Sequence, residues 1–492
     1  MQEALLKIVA TVNSYLTDYV LIFLLVGVGL YFTIRTKFVQ VRCFGEGMKK
    51  VFGNLSLKGG KQGGGLSSFQ ALATAIAAQV GTGNIVGACG AILIGGPGAI
   101  FWMWVIAFLG MATIYAEATL AQKTRVVNED GTVAGGPVYY IKTAFKGSFG
   151  KFLAVFFAVA TMLALGFMGT MVQSNSIAGT MGKAFGMNSN LYWIIGIVVA
   201  ALAAVVFLGG VDRLASVTEK LVPVMALLYI VGSLVVIFAR IQYVPETFGM
   251  IFKYAFNANA LIGGGIGYAL KAAISQGAKR GLFSNEAGMG STPHAHAQAN
   301  VKNAHDQGVT AMIGVFIDTF IVLTMTALVV ISTLYAGDGV LGSSLSYNAT
   351  EGGLVSLVAA AFPKANLAQM AFGKVFGETF GNIFVAVCLF FFAFSTILSW
   401  NFFGKINFQY LFGKKYTVVY TVIAVVFVFL GSIFSNDLVW ELTDFFNYLM
   451  VLPNVIALVA LGSLVVTATK EGKAAKEAAR VSAAVAAEDD AE

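Results

Sequence analysis

Residues 73–93 read "ATAIAAQVGTGNIVGACGAIL", and the middle of this stretch decides the fold. Its flanks are apolar enough for a bilayer, yet Gly81-Thr82-Gly83-Asn84 is a poor helix. Inside lipid every backbone N–H and C=O needs an internal partner. Irregular backbone is tolerated there only when buried in protein or lining a wet cavity. An unwound middle frees carbonyl oxygens at the end of one half-helix and N–H groups at the start of the next. The carbonyls suit a hard cation such as Na⁺; the N–H groups and the positive dipole end suit a carboxylate. Gly81 and Gly83 permit close backbone approach, and Thr82 and Asn84 add polar groups without net charge.

The whole chain supports a membrane setting. It has 492 residues, 58% of them hydrophobic and 11% charged, with a mean hydropathy of +0.81. Soluble domains carry about 25% charged residues. The long apolar runs lack alternating polar positions, so helices fit better than a barrel. The net charge of +7 reads as the positive-inside bias of a membrane protein rather than a nucleic-acid footprint. Three cysteines, Cys43, Cys89 and Cys388, form no CxxC and argue against a disulfide framework or a thiolate metal site. The first apolar run is followed, not preceded, by Arg35 and Lys37, so it reads as a retained helix rather than a signal peptide.

A window of about 19 residues gives about eleven spans. They cover roughly 18–35, 67–95, 97–123, 151–182, 191–210, 218–240, 260–297, 308–335, 376–404, 416–434 and 440–467. With that count, the basic loop residues from Arg35 to Lys61, Lys123 to Lys151 and Lys405 to Lys415 share one side with the tail lysines. The N-terminus is then outside and the C-terminus cytoplasmic.

Two spans are anomalous, the second (67–95) and the seventh (260–297). The seventh contains "LIGGGIGYALKAAISQGAKRGLFSNEAGMGSTPHAHA" and reads as broken near residues 277–281 and polar again at Ser284-Asn285-Glu286. They are five apart in the count, an odd number, so they enter the membrane from opposite sides. Interrupted segments at matching places in two opposed halves point to an inverted-repeat transporter. The chain divides into 1–66 (an extra helix and loop), 67–240 (first repeat), 241–467 (second repeat) and 468–492 (a cytoplasmic tail). The tail reads as a solvated helix or a disordered end, and Asn348-Ala349-Thr350 in the long outer loop as a chance glycosylation pattern.

A zwitterionic amino acid needs the two opposite poles that the second span offers. Close packing through Gly83-xxx-Gly87 is the plain alternative, but it leaves the gathering of Gln79, Thr82 and Asn84 at mid-span unexplained. In the seventh span, Ser284 or Asn285 fits a cap for a second half-helix. Glu286 is an intramembrane ionisable group whose partners would be Lys279 or Arg280. In "FFAFSTILSWNFFG" (391–404), the hydroxyls of Ser395 and Thr396 fit a Na⁺ site with the carbonyls of the opening stretch, or bonds to their own preceding turn. Trp400 and Asn401 fit a pocket lining, and a lone Trp equally fits an interface anchor. Gln173 fits a substrate contact or an interhelical bond. Glu117 and Asp318 fit bundle pairing or a proton relay. His294 and His296, at i and i+2, do not share a helix face and make a poor metal pair.

The strings "GTGNIVG", "GGPGAIFWMWVIAFLGMATIYAEATLAQ" and "RGLFSNEAGMGSTP", with "FAFST" before Trp400, resemble the bacterial alanine or glycine:cation symporters from residue 18 to about 467. That resemblance implies an all-α polytopic membrane protein of the LeuT type. It would be a 5+5 inverted repeat with one extra N-terminal helix. It implies sodium-driven symport of small neutral amino acids, chiefly alanine or glycine, by alternating access. By that resemblance, Thr82, Gly83, Asn84, Gln173, Phe283 and Trp400 hold the substrate. The co-transported Na⁺ sits between the carbonyls near Ala78 and Gly81 and the hydroxyls of Ser395 and Thr396. Two alternatives stay open: proton coupling through Glu286, Glu117 or Asp318, and serine or glutamine as main substrate. No HExxH, GxSxG or filter repeat supports an enzyme or a channel. The expected partners are an amino acid and the bilayer, with no nucleic acid; the sequence leaves the oligomeric state open.

Overall fold

The computed structural model describes residues 2–53, 66–129, 132–256, 266–342 and 364–489. The Asn348-Ala349-Thr350 pattern, most of the long outer loop and the start of the seventh span lie outside them. The protein is an all-α polytopic membrane protein. Among the described residues nine helices are long and apolar enough to cross a membrane, or ten with a bent pair taken as one span.

In chain order the principal helices are α1 (Glu3–Arg35), the bent pair α2 (Ser68–Gln79) and α3 (Gly83–Gly95), α4 (Gly98–Thr124), α5 (Gly147–Ala184), α6 (Ser189–Phe207) and α7 (Gly210–Ala239). Then come α8 (Ile266–Asn285), the short α9 (Pro293–Ala297), α10 (Ala304–Leu334), α11 (Glu378–Phe412), α12 (Lys414–Gly431), α13 (Asn436–Ala460) and a tail helix α14 (Gly462–Asp489). Val126–Val127 and Val133–Ala134 pair as a two-residue antiparallel ribbon between α4 and α5.

The helices sort by what surrounds them. On α6, Trp193, Ile197, Val198, Leu202 and Val205 are exposed, as are Val224, Leu227, Val231 and Phe238 on α7. Large apolar side chains facing outward in rows are a lipid-facing surface. By contrast every described residue from Ala71 to Leu93 is buried, polar ones included. The α2/α3 pair therefore runs through the centre, packed by α7, α8, α10 and α11.

Two expectations need correction. The helix that holds the first span begins at Glu3, fifteen residues before the expected start at 18. Polar residues depress hydropathy there, but they find partners: Asn13 Nδ2 donates to the Glu441 side chain at 2.6 Å, and Asp18 pairs with Lys271 at 2.8 Å. The seventh span is not broken at 277–281; α8 is continuous through it to Asn285. A Cβ on Gly277 would meet the Ala99 carbonyl oxygen at 2.9 Å and crowd Trp102, and Gly281 faces Ile106 at 3.5 Å. These glycines let α8 press against α4, the small-residue packing expected between membrane helices.

Candidate functional site

The α2/α3 pair bends by 44° at the predicted glycine stretch. Helix α2 starts on a capping box, Ser67 and Gln70 bonding each other's backbone N–H, and ends at Val80. Asn84 then organises the break. Its Oδ1 accepts from the Gly81 N–H at 3.0 Å, while its Nδ2 donates to Asp318 Oδ1 at 2.6 Å. A short polar side chain thus replaces the missing helical bond and ties the break to α10.

The second break follows α8 directly, at residues 286–292. Glu286, Gly288 and Gly290 all have positive φ (58°, 89° and 80°), a conformation that costs a non-glycine residue about 1–2 kcal/mol. Glu117 of α4 holds this loop open: it accepts from the Gly288 and Gly290 N–H groups, each at 3.0 Å, and from Asn454 Nδ2 at 2.6 Å. Neither expected cap serves α9. Asn285 Oδ1 accepts from Ala287 within the turn, and Ser284 Oγ donates to Asp318 at 3.0 and 3.1 Å.

The breaks touch. Gln79 Nε2 donates to the Asn285 carbonyl at 2.8 Å, and a Cβ on Gly83 would meet Ser284 Cα at 3.0 Å and the Phe283 ring at 3.2 Å. Around this junction the six expected substrate residues form one connected, buried group. The Thr82 N–H donates to Gln173 Oε1 at 3.2 Å, Gly83 abuts Phe283, and the Phe283 ring packs edge-on against Trp400 with centroids 5.6 Å apart. Two of their polar atoms, Thr82 Oγ1 and Gln173 Nε2, are buried without a partner among the described residues. Buried polar atoms usually find a partner, and these two lie next to each other at the junction of the breaks.

The expected cation ligands also converge, in part. Thr396 Oγ1 donates to the Ala77 carbonyl at 2.9 Å and the Ala78 carbonyl at 3.3 Å, and a Cβ on Gly81 would collide with it. Ser395 Oγ is 3.4 Å from the Ala77 oxygen and bonds more closely, at 2.9 Å, to Phe392 in its own helix. The Ala77 carbonyl, absent from the sequence-based set, is thus the nearest oxygen.

Glu286 is not paired with Lys279 or Arg280. Its carboxylate accepts from the Trp400 indole N–H and the Ser291 hydroxyl. The two cations point the other way, to α13: Arg280 meets Asp444 at 3.0 Å, and Lys279 meets Asp444 at 2.9 Å and Glu441 at 3.2 Å. Arg280 also stacks over Trp440, whose ring packs on Phe283 at 4.7 Å. One layer of aromatics and ion pairs therefore joins α8 to α13 beside the two breaks. Asp318, expected to pair within the bundle or to serve a proton relay, lies beside both breaks. It is fully buried and, like Glu286 and Glu117, bonded by neutral donors. Its position beside both breaks follows from α10 crossing them, which spacing along the chain does not reveal.

The Sodium:alanine symporter family matches residues 2–485. The chain is 40% identical to the sodium/alanine symporter AgcS of Methanococcus maripaludis over 466 residues, 94% of this chain and 96% of that one. It is 36% identical to the Bacillus subtilis protein named "Probable sodium/glutamine symporter GlnT", over 98% of this chain and 93% of that one. Among solved structures, MhsT in complex with L-phenylalanine superposes with a TM-score of 0.57 at 15% identity, covering 83% of this chain and 96% of that one. The fold is therefore that of the LeuT-type transporters. On motif, fold and length of match together, the chain belongs to the sodium:alanine symporter family.

Proposed function

We propose that this protein is a Na⁺-coupled symporter that imports small neutral amino acids, alanine and glycine first, by alternating access. The observation that carries the reading is the Thr396 hydroxyl on the Ala77 and Ala78 carbonyls, one turn from the unpartnered Thr82 Oγ1 and Gln173 Nε2. Hydroxyl and carbonyl oxygens suit a hard cation, and the α3 N-terminus beside them suits a carboxylate. Thr82, Gly83, Asn84, Gln173, Phe283 and Trp400 would hold the amino acid. Ala78, Gly81, Ser395 and Thr396, joined by Ala77, would hold the ion. Small substrates are favoured because Gly83 already lies against Ser284 and Phe283, leaving little depth for a longer side chain.

In this reading residues 67–240 and 241–467 are the two inverted repeats. The N-terminus is outside and the tail cytoplasmic. The Arg280–Asp444 layer then closes the outer side of the site. One charge moving down 100 mV supplies ~2.3 kcal/mol. That alone concentrates a neutral solute roughly 50-fold.

A second reading has its own observation. Glu286, Asp318 and Glu117 are buried with no cation beside them among the described residues. Asp318 touches both breaks, so a proton or a second cation could ride there. Proteoliposomes separate the readings. Under symport with Na⁺, labelled L-alanine accumulates with an inward Na⁺ gradient and not when K⁺ replaces it. Accumulation that ignores Na⁺ and follows a pH gradient would overturn Na⁺ coupling. Accumulation of glutamine or serine in preference to alanine would overturn the substrate assignment.

A further inference from the structure

Away from the substrate region, the end of α1, the loop after it and the tail helix α14 meet around a cavity of about 380 Å³. Six cations line it: Arg35 closing α1, Lys37 and Arg42 just after it, and Lys470, Lys473 and Lys476 on α14. Two carboxylates, Glu46 and Glu477, share the lining. Among the described residues the ion pairs within this lining all use Glu46, with Lys476 at 2.8 Å and His305 at 3.7 Å. Among the described residues Arg35, Lys37, Arg42, Lys470 and Lys473 therefore line the cavity with no carboxylate at ion-pair distance. Like charges held in one concavity repel each other and raise the local concentration of anions.

The walls are built, not incidental. The Tyr115 hydroxyl bonds Thr469 of α14 at 2.8 Å, Arg35 reaches Ser463 at 3.2 Å, and Gly472 sits flush on His305. Polar and apolar surfaces adjoin. Ile34, Phe38 and Val41 are exposed beside the cations, at 66%, 52% and 59%. Arg35 ends an apolar span, so this chemistry lies at the bilayer–water boundary. Acyl chains fit the apolar residues and a phosphate fits the cations; a free phosphate ester would use only the second.

A metal ion is the competing occupant. Cys43, Glu46 and His305 have ligand atoms within 4.8 Å of one another. However, Lys476 already holds Glu46, and the ring of cations repels a dication. Burial would raise the Glu46 carboxyl, but its bond to Lys476 and the charges of His305 and Lys50 keep it below the usual carboxylate range. Its charge is thus committed within the protein.

We propose that this pocket binds the phosphate headgroup of an anionic membrane lipid between α1 and the tail helix, clamping α14 to the transporter body. The test uses the full chain in a neutral detergent, titrated with dioleoylphosphatidylglycerol, dioleoylphosphatidylcholine and inorganic phosphate, with native mass spectrometry as readout. Saturable binding of the anionic lipid is expected, and none of the zwitterionic one. At about 1 kcal/mol per basic residue, Lys473→Gln should weaken binding about 5-fold and Lys470→Gln/Lys473→Gln about 25-fold. Both lysines are exposed on the tail helix, so circular dichroism should be unchanged in these variants. Equal lipid binding in the double variant would overturn the proposal. So would tighter binding of inorganic phosphate than of the lipid, which would assign the site to a soluble ester. Zn²⁺ binding that Cys43→Ser abolishes, without a lipid effect, would overturn it in favour of the metal. Because the readout is binding, failure here leaves the transport reading untouched.

Discussion

Gln79 Nε2 donates to the Asn285 carbonyl at 2.8 Å, tying the last turn of α2 to the last turn of α8. The two interrupted helices thus share a bond at the point where each stops, and a shift of one pulls on the other. Gln79→Leu keeps the volume but leaves a buried carbonyl unpaired, which costs about 1–3 kcal/mol. We expect a lower melting temperature in detergent and slower alanine counter-flow. Unchanged counter-flow would uncouple the two breaks.

Gly83 tests the pocket. A methyl there meets Ser284 and Phe283 at 3.0–3.2 Å, and both are fixed by packing. Overpacking of this kind costs about 1–3 kcal/mol, so Gly83→Ala should weaken alanine binding about 5- to 100-fold, and Gly83→Leu should abolish it. Retained binding of alanine to the leucine variant, measured by scintillation proximity, would remove the α2/α3 break from the site.

Thr396 and Ser395 should differ although they are neighbours. Both hydroxyls bond the Phe392 carbonyl of their own helix, but Thr396 Oγ1 lies 2.9 and 3.3 Å from two α2 carbonyls, whereas Ser395 Oγ reaches only one, at 3.4 Å. Thr396→Ala should raise the Na⁺ concentration for half-maximal uptake about tenfold, the equivalent of one lost polar ligand. Ser395→Ala should raise it less. Equal effects, or none, would move the ion elsewhere.

Glu286 decides between the coupling ions. Glu286→Gln removes the charge but still accepts from the Trp400 indole. With Na⁺ coupling, accumulation should persist and keep its Na⁺ dependence. If accumulation is lost while exchange survives, the proton pathway runs through Glu286.

Asp444 holds the closing layer. It is buried against both Lys279 and Arg280, and breaking a buried pair by removing one partner typically costs about 3–5 kcal/mol. Asp444→Asn should lower thermal stability and make a cysteine placed at Phe283 more reactive from outside. Unaltered labelling would show that the aromatic layer of Trp440 and Phe283 suffices.

Much of this molecule was legible in the sequence, for identifiable reasons. Apolar run length sets which segments can cross lipid, and the weak helix at Gly81-Thr82-Gly83-Asn84 sets where α2 must end, because bilayer backbone has no water to fall back on. The residue strings resembling the alanine or glycine:cation symporters named the six substrate candidates that the fold assembles. Pairing was not legible. Gly277 and Gly281 look like a second break but are a packing face for α4, since a glycine's role depends on what approaches it. Glu286 bonds Trp400 rather than the cations nearby in sequence, and Asp318 bonds both Ser284, 34 residues before it, and Asn84, 234 residues before it. A buried charge takes whichever donor the packed helices bring within about 3 Å, and only the tertiary structure decides which that is.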